Sequence, residues 1–269
     1  MTFVHERNIE GKICHNYKGI GEAICRFYED EYRPFRDKMK TLIFDEAHRE
    51  DFTRATEAFN EYYKKAESFA EEKHIDSRSK FLSSFLEEIN SHLFKDLPGI
   101  VSGELQVYNR GIYSGIKILP GPEIDFMKKD VDFCIGKKID ITIDERDPTA
   151  IILPVVTVEV KTYLDATMLG EIRTSSGAIR SATPSAKTYV LMGYKDFANS
   201  HLAAVRQDSC LDEMFVLRRD RDSAIDENVI YDYWQEINSA VEQMIFEEKE
   251  LSMENRIHGA QLPGRLLHL

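Results

Sequence analysis

The chain has 269 residues, which is enough for one large domain or two smaller ones. Its net charge of −12 disfavours a protein that binds nucleic acid over its whole surface, yet bases outnumber acids between Lys161 and Lys195. No apolar run reaches the roughly 18 residues that span a bilayer, and no signal-peptide pattern is present, so we expect a cytoplasmic protein without a membrane partner. The four cysteines are scattered, which disfavours a zinc site or a disulfide framework.

Helices are predicted from about residue 17 to residue 93. Apolar side chains recur at helical spacing within residues 20–27 and 52–63. A third helix is predicted from about Ser77 to Phe94, where four phenylalanine, isoleucine and leucine side chains lie four residues apart. We therefore predict a helical N-terminal region over residues 1–98, packed on a core formed by residues 99–269.

The second part of the chain has strand patterns. Residues 139–144 alternate strictly between isoleucine and polar residues, and together with residues 131–135 they predict a β-hairpin whose turn is Gly136-Lys-Lys. The elements that follow are a buried strand over residues 151–161, a helix over 164–179, strands over 188–193 and 214–217, and a closing helix over 229–251. This order predicts an α/β fold in an α+β arrangement, with a mixed central β-sheet.

Glu159 and Lys161 end the valine-rich strand. Because successive side chains of a strand point to opposite faces, these two share one face while the valines between them can face the core. Asp132 lies on the first strand of the predicted hairpin and can converge with Glu159 if the two strands pair. Magnesium prefers carboxylate oxygens, and a neighbouring amine can orient a water, so the set suits metal-dependent phosphodiester hydrolysis. The alternative is a half-buried strand that carries two solvated charges.

This pattern resembles the PD-(D/E)XK nuclease superfamily. The motif is Asp132 followed by Glu159-Val160-Lys161, and the order of helix, three-stranded meander, helix and strand matches the core of that superfamily. The resemblance implies an Mg²⁺ site formed by Asp132, Glu159 and the backbone carbonyl of Val160, with Lys161 positioning the nucleophilic water. It departs from the family pattern at Val131, which stands where the family has a proline.

Three other carboxylates are candidates for the same site. Asp130 shares the strand face of Asp132 and is an alternative first metal ligand. In some relatives a helix carboxylate joins the metal site, which makes Glu87 or Glu88 a possible further ligand. For those two glutamates, a solvated helix face is the alternative.

A narrower resemblance is best over residues 125–220, and residues 159–192 carry it. This stretch, which includes the two arginines Arg173 and Arg180, resembles type II restriction endonucleases, and in particular the BbvCI-like group, whose enzymes are assembled from two related subunits. The resemblance implies magnesium-dependent cleavage of double-stranded DNA at a short specific site, with each subunit cutting one strand. The expected protein partner is therefore a second copy of the chain or a related second subunit.

Five basic residues are candidates for DNA contacts. Arg173 and Arg180 are seven residues apart, which places them on one helix face, and Lys187 follows them. Arg110 and Lys117 lie in a stretch predicted to be an irregular loop that could contact bases. Ordinary charged surface is the alternative for each.

Two other functions remain open on the sequence. One is a repair or junction nuclease of the same superfamily. The other is a non-catalytic DNA-binding or assembly subunit with a vestigial site.

Overall fold

The computed structural model describes residues 3–120, 124–142, 147–198 and 210–252, with side chains in the last helix described as far as residue 245. The helices are α1 (Val4–Cys14), α2 (Gly21–Phe27), α3 (Arg33–Thr41), α4 (Arg49–Glu72), α5 (Phe81–Leu93), α6 (Pro98–Val101), α7 (Ala166–Ala182) and α8 (Glu227–Ser252). The strands are β1 (Gln106–Tyr108), β2 (Ile112–Ile118), β3 (Ile124–Lys129), β4 (Phe133–Ile141), β5 (Thr149–Leu164), β6 (Lys187–Lys195) and β7 (Glu213–Val216). Within this part of the chain, no helix is long and apolar enough to cross a membrane.

The long strand β5 organises a mixed sheet. Along one edge it pairs with β4 in antiparallel orientation. Along the other edge it pairs with β2 at Ile152 and with the parallel strand β6 from Val156 onward. β1, β3 and β7 add to β4, β2 and β6 respectively. The prediction of an α/β fold with a mixed central sheet is confirmed.

The hairpin predicted over residues 131–144 is wrong. β4 is one continuous strand, and the Gly136-Lys-Lys segment lies inside it, next to a β-bulge between Ile135 and Gly136. A Cβ atom at Gly136 would lie 2.6 Å from the carbonyl oxygen of Leu153. The glycine therefore allows the backbones of β4 and β5 to approach closely, and it does not form a turn. Residues 143 and 144 of the predicted hairpin lie outside the described residues.

A hairpin exists instead between β2 and β3, in the stretch predicted to be an irregular loop. β2 pairs with β5 at Ile112, and it pairs with β3 from Ile112 to Ile118. Gly115, at φ +146°, sits at a register shift that interrupts the alternation, and Ile118 is 83% exposed. Because neither face of this hairpin has a regular buried row of side chains, its sequence carries no clear strand pattern.

The apolar face of β5 lies on the main hydrophobic core. Val156, Val158 and Val160 are buried there, as the alternation predicts, and they belong to the same cluster as Phe59 of α4 and Phe85 of α5. The cluster is continuous from α1 to α8, so the helices before residue 98 and the sheet after it share one core.

Helix α1 is anchored by a buried carboxylate on α5. Oε2 of Glu88 accepts hydrogen bonds from the backbone N–H groups of His5, at 2.8 Å, and Glu6, at 3.1 Å. Oε1 accepts a third from the hydroxyl of Tyr32 at 2.8 Å. Glu88 is fully buried and so caps the N-terminus of α1, where backbone donors lack partners inside the helix. Burial also lowers the pKa of His5 to about 4, so its ring is neutral at pH 7 and bonds the Tyr62 hydroxyl at 2.7 Å.

Replacing Glu88 with glutamine should destabilise the protein. The amide keeps the size of the side chain but has one acceptor oxygen fewer, so buried donors of α1 or of Tyr32 lose a partner. We expect the free energy of unfolding, measured by urea titration with circular dichroism, to fall by about 1–3 kcal/mol. Glu57→Gln on the exposed face of α4 is the matched control. Equal losses in the two variants would contradict a structural role for Glu88.

Candidate active site

The structure brings together the three residues of the predicted motif. Phe133 pairs with Val158, so Asp132 stands just beyond the end of β4 and beside the last part of β5. Nζ of Lys161 lies 3.2 Å from Oδ2 of Asp132 and 3.3 Å from Oε2 of Glu159. An ammonium group therefore lies between two carboxylates, one directly before β4 and one on the neighbouring strand β5.

Burial and charge shape the protonation of this set. The side chains of Asp132 and Glu159 are both 17% exposed. Burial, and then the negative charge of Asp132, raises the pKa of Glu159, and Lys161 offsets part of the rise. Burial alone would lower the pKa of Lys161, but the two carboxylates raise it above its usual value. Lys161 is therefore held as an ammonium ion.

A cavity of about 470 Å³ opens on Asp132 and Glu159 of the motif. Carboxylates of Glu87, Asp130, Asp132 and Glu159 line it together. Glu88, which sequence analysis could not separate from Glu87, faces the opposite way and caps α1. The two neighbouring glutamates of α5 thus serve different parts of the protein.

Glu87 is the third carboxylate beside the motif. Its side chain is 8% exposed, and Nζ of Lys80 lies 3.7 Å from its Oε1 atom. Burial, and then the charge of Asp132, raises the pKa of Glu87 to about 7. The influence of Asp132 on Glu87 and on Glu159 means that negative charges crowd this cavity.

The donor set fits a hard divalent cation, although it is not already arranged around one. Within the described residues, no group of three or more His, Cys, Asp or Glu side chains has an arrangement that could hold a metal ion. Lys161 lies where it neutralises Asp132 and Glu159. Carboxylate oxygens are the ligands that Mg²⁺ prefers, and a cation beside these carboxylates would offset the charge of Asp132, which helps to raise the pKa values of Glu87 and Glu159.

Two details of the implied metal site can be compared with the geometry. The amide of Val160, and not its carbonyl, contacts the motif: it donates to Oδ2 of Asp132 at 2.9 Å. The carbonyl ligand stays a prediction. Asp130 is exposed and its Oδ1 accepts from the amide of Gly111 at 3.0 Å, so Asp132 is better placed than Asp130 beside Glu159 and Lys161.

Arg180 and Lys187 share one acidic partner. Asp212 forms an ion pair with Arg180, and its Oδ1 lies 3.2 Å from Nζ of Lys187. The same carboxylate accepts from the amide of Thr188 at 2.8 Å. Both cations therefore hold the start of β6 in place here, and a DNA contact from either one stays a prediction.

The other three basic candidates lie in different surroundings. Arg173 is half-buried on α7. Arg110 is exposed and lines the cavity with Asp132 and Glu159. Lys117 is exposed on β2, opposite Asp125 of β3, and does not line that cavity.

Some residues of the cavity wall were not predicted from the sequence as part of the site. Arg7 and Asn8 of α1 line it, as do Lys80 and Asn109. The buried face of α1 consists of His5, Ile9 and Lys12, at helical spacing but with only one apolar member. That spacing of positions five, nine and twelve is the one signal that could have indicated the helix.

The pKa of Glu87 predicts a pH-dependent difference between the wild type and Glu87→Gln in EDTA. The native carboxyl keeps its proton up to about pH 7, whereas an unfolded glutamate releases it near pH 4.5. The associated stability is fully present below about pH 4.5 and is lost as the pH rises through 7. Urea titrations from pH 5 to 8 should therefore show the variant becoming the more stable protein, by up to about 3 kcal/mol. A difference that does not change with pH would contradict the raised pKa.

Comparison with known proteins agrees with this architecture. No curated protein matches the chain. Its fold is similar to that of a chain in the native BbvCI A2B2 tetramer, with a TM-score of 0.68 and 17% sequence identity over 88% of this chain and 95% of that chain. The family model of the Bpu10I restriction endonuclease matches residues 79–247, which include the whole motif. The resemblance to restriction endonucleases is confirmed, and the chain belongs to the Bpu10I restriction endonuclease family.

Proposed function

We propose that this chain is a magnesium-dependent type II restriction endonuclease, or one subunit of such an enzyme, acting in the cytoplasm. It hydrolyses phosphodiester bonds of double-stranded DNA at a short specific sequence. The observation that carries the proposal is the convergence of Asp132 and Glu159 in one cavity, with Lys161 in contact with both carboxylates. Membership of a restriction endonuclease family supports it.

The proposed metal ligands are Asp132, Glu159 and the carbonyl of Val160, with Glu87 as a further carboxylate. When bound, Mg²⁺ would supply positive charge to the phosphate oxygens and favour hydroxide at its water. The protein's contribution is to hold these oxygen donors on a paired strand end and one helix. Rigid elements of this kind position ligands more accurately than loops do.

Lys161 is proposed to orient the attacking water. An ammonium ion has three donor hydrogens and no free electron pair, so it can position a water oxygen or stabilise a phosphate oxygen but cannot abstract a proton. The carboxylates that raise its pKa keep it in this form. Lys161 therefore acts in this proposal as a donor and an electrostatic stabiliser, not as a general base.

The DNA contacts are proposed at several places. Arg110 has the strongest support because it lines the same cavity as the motif. Arg173 and Lys117 are proposed to contact the backbone or bases on either side of that cavity. To bind DNA, Arg180 and Lys187 would have to replace their ion pairs with Asp212 by contacts with phosphate, so each cation would keep a charged partner.

Cleavage of both strands is proposed to require a second active site. Each chain offers one motif, and one site can cut one strand at a time. The second site would come from another copy of this chain or from a related subunit. The similarity in fold to a chain of the BbvCI A2B2 tetramer supports an assembly of several subunits.

Glu159→Ala should abolish magnesium-dependent cleavage while the fold is kept. Mixed plasmid DNA is incubated with Mg²⁺ and the purified chain, and the new ends are sequenced. Discrete ends at one short sequence are expected for the wild type. Glu171→Ala on the exposed face of α7 is the matched control and should cleave normally. Full activity of Glu159→Ala would exclude this site.

The same assay separates the other functions. Smeared products or cuts confined to branched DNA would favour a repair or junction nuclease. DNA binding without cleavage in any divalent metal would favour a non-catalytic subunit. Either outcome would overturn the restriction proposal.

An assembly in which one of two sites carries Glu159→Ala should nick DNA without linearising it. The remaining wild-type site still cuts its own strand, so supercoiled plasmid should become open circles. Agarose electrophoresis distinguishes these from linear products, and the all-wild-type assembly is the control. Linear DNA from the mixed assembly would show that one site cuts both strands.

A further inference from the structure

We propose that Arg7, Lys80 and Arg110 form a basic rim that binds backbone phosphates on either side of the scissile one. This inference rests on the proposed function. It adds contacts with the DNA substrate, one of which comes from the N-terminal helix α1.

The three cations come from separate segments but meet at one cavity. Arg7 lies on α1, Lys80 directly precedes α5, and Arg110 lies between β1 and β2. All three are exposed, whereas the motif carboxylates Asp132 and Glu159 are largely buried in the same cavity. Acidic groups thus form the interior of the site and basic groups its accessible margin.

The two arginines of the rim are available to a ligand. Among the described residues, the guanidinium groups of Arg7 and Arg110 form no ion pair or hydrogen bond, whereas Arg36 and Arg54 pair with acids. In a chain with a net charge of −12, two such arginines at one cavity are notable because acidic partners are abundant. Guanidinium groups match the geometry of phosphate oxygens.

The charges of the cavity balance without metal. Its four lining carboxylates are Glu87, Asp130, Asp132 and Glu159, and the four cations are the three rim residues together with Lys161, which touches two of those acids. When all four carboxylates are ionised, four against four gives a sum near zero. A bound divalent cation would make the whole site positive, which is the sign that a phosphate backbone requires.

The rim is held in shape by contacts of α1. Glu88 caps the helix, and Nζ of Lys12 donates to Oδ1 of Asn8 and to the carbonyl of Ser79, both at 2.6 Å. Nδ2 of Asn8 donates to the same carbonyl at 3.1 Å. Since Ser79 precedes Lys80 and Asn8 follows Arg7, these bonds fix two rim residues relative to each other.

The test measures DNA binding separately from cleavage. Arg7→Ala, Lys80→Ala and Arg110→Ala are titrated against a fluorescent duplex by anisotropy, at several salt concentrations, in EDTA and with Ca²⁺ in place of Mg²⁺. Each variant should bind about five- to tenfold more weakly at low salt, since a charged hydrogen bond is lost. The slope of log affinity against log salt should fall by about 1 for each lost phosphate contact.

Two control variants separate charge from structure. Arg26→Ala removes an exposed arginine that pairs with Glu22 on α2, away from the cavity, and should leave affinity and slope unchanged. Arg7→Lys keeps the charge and should keep most of the slope. In cleavage assays, Arg7→Ala should raise KM with little change in kcat, which a general folding defect would not produce.

The outcomes distinguish the rim from the function on which it rests. If the wild type binds DNA and the rim variants bind it with the same affinity and salt slope as Arg26→Ala, the proposed rim is overturned and the proposed function is not. A wild type that neither binds nor cleaves DNA overturns the proposed function. A wild type that binds without cleaving, with weaker binding in the rim variants, supports the rim in a non-catalytic subunit.

Discussion

The antiparallel register of β4 on β5 is the constraint on which the candidate site depends. With Phe133 opposite Val158, Asp132 lies where its carboxylate meets the amide of Val160 and the ammonium of Lys161. A slip of one residue would turn the carboxylate to the other face of the sheet. Burial of Phe133 and Val158 opposes such a slip, and the bulge between Ile135 and Gly136 accommodates the extra residue of β5, Val155.

Helix α5 extends this arrangement to the N-terminal region. Consecutive helical residues point about 100° apart, so Glu87 and Glu88 can serve two different environments. Glu87 faces the cavity near Asp132, which helps to raise its pKa, and Glu88 faces α1, where it accepts backbone hydrogen bonds. The cavity of the candidate site and the anchor of α1 are therefore built from one helical turn, and the N-terminal helices cannot be treated as an independent addition to the sheet.

The sequence predicted those parts whose pattern is local. Buried valines alternate with Glu159 and Lys161, so the face of β5 that carries them could be assigned before the structure was known. The position of the hairpin could not be assigned in this way, because a glycine such as Gly136 is equally typical of a turn and of two strands that approach closely. Helix α1 was not predicted because its buried face carries a charged residue, Lys12. Nζ of Lys12 donates a hydrogen bond to the carbonyl of Ser79, 67 residues away, and this distant partner offsets its burial. Long-range partners of this kind leave no trace in a short window of sequence.

Net charge was a poor guide to function for a related reason: it sums over surfaces that never meet the substrate. Asp212 forms ion pairs with two of the predicted DNA-binding cations, Arg180 and Lys187. Arg7 and Arg110, by contrast, have no acidic partner among the described residues. In the proposed function, the local sum of charge is what matters: the formal charges of the acids and bases at the cavity balance, and a bound divalent cation would make their sum positive. If the metal strengthens DNA binding in this way, reciprocity of linked equilibria requires that DNA strengthen metal binding by the same factor. Metal-free protein would then bind DNA weakly, and a metal bound without DNA would be held loosely, so the complete site would assemble only on its substrate.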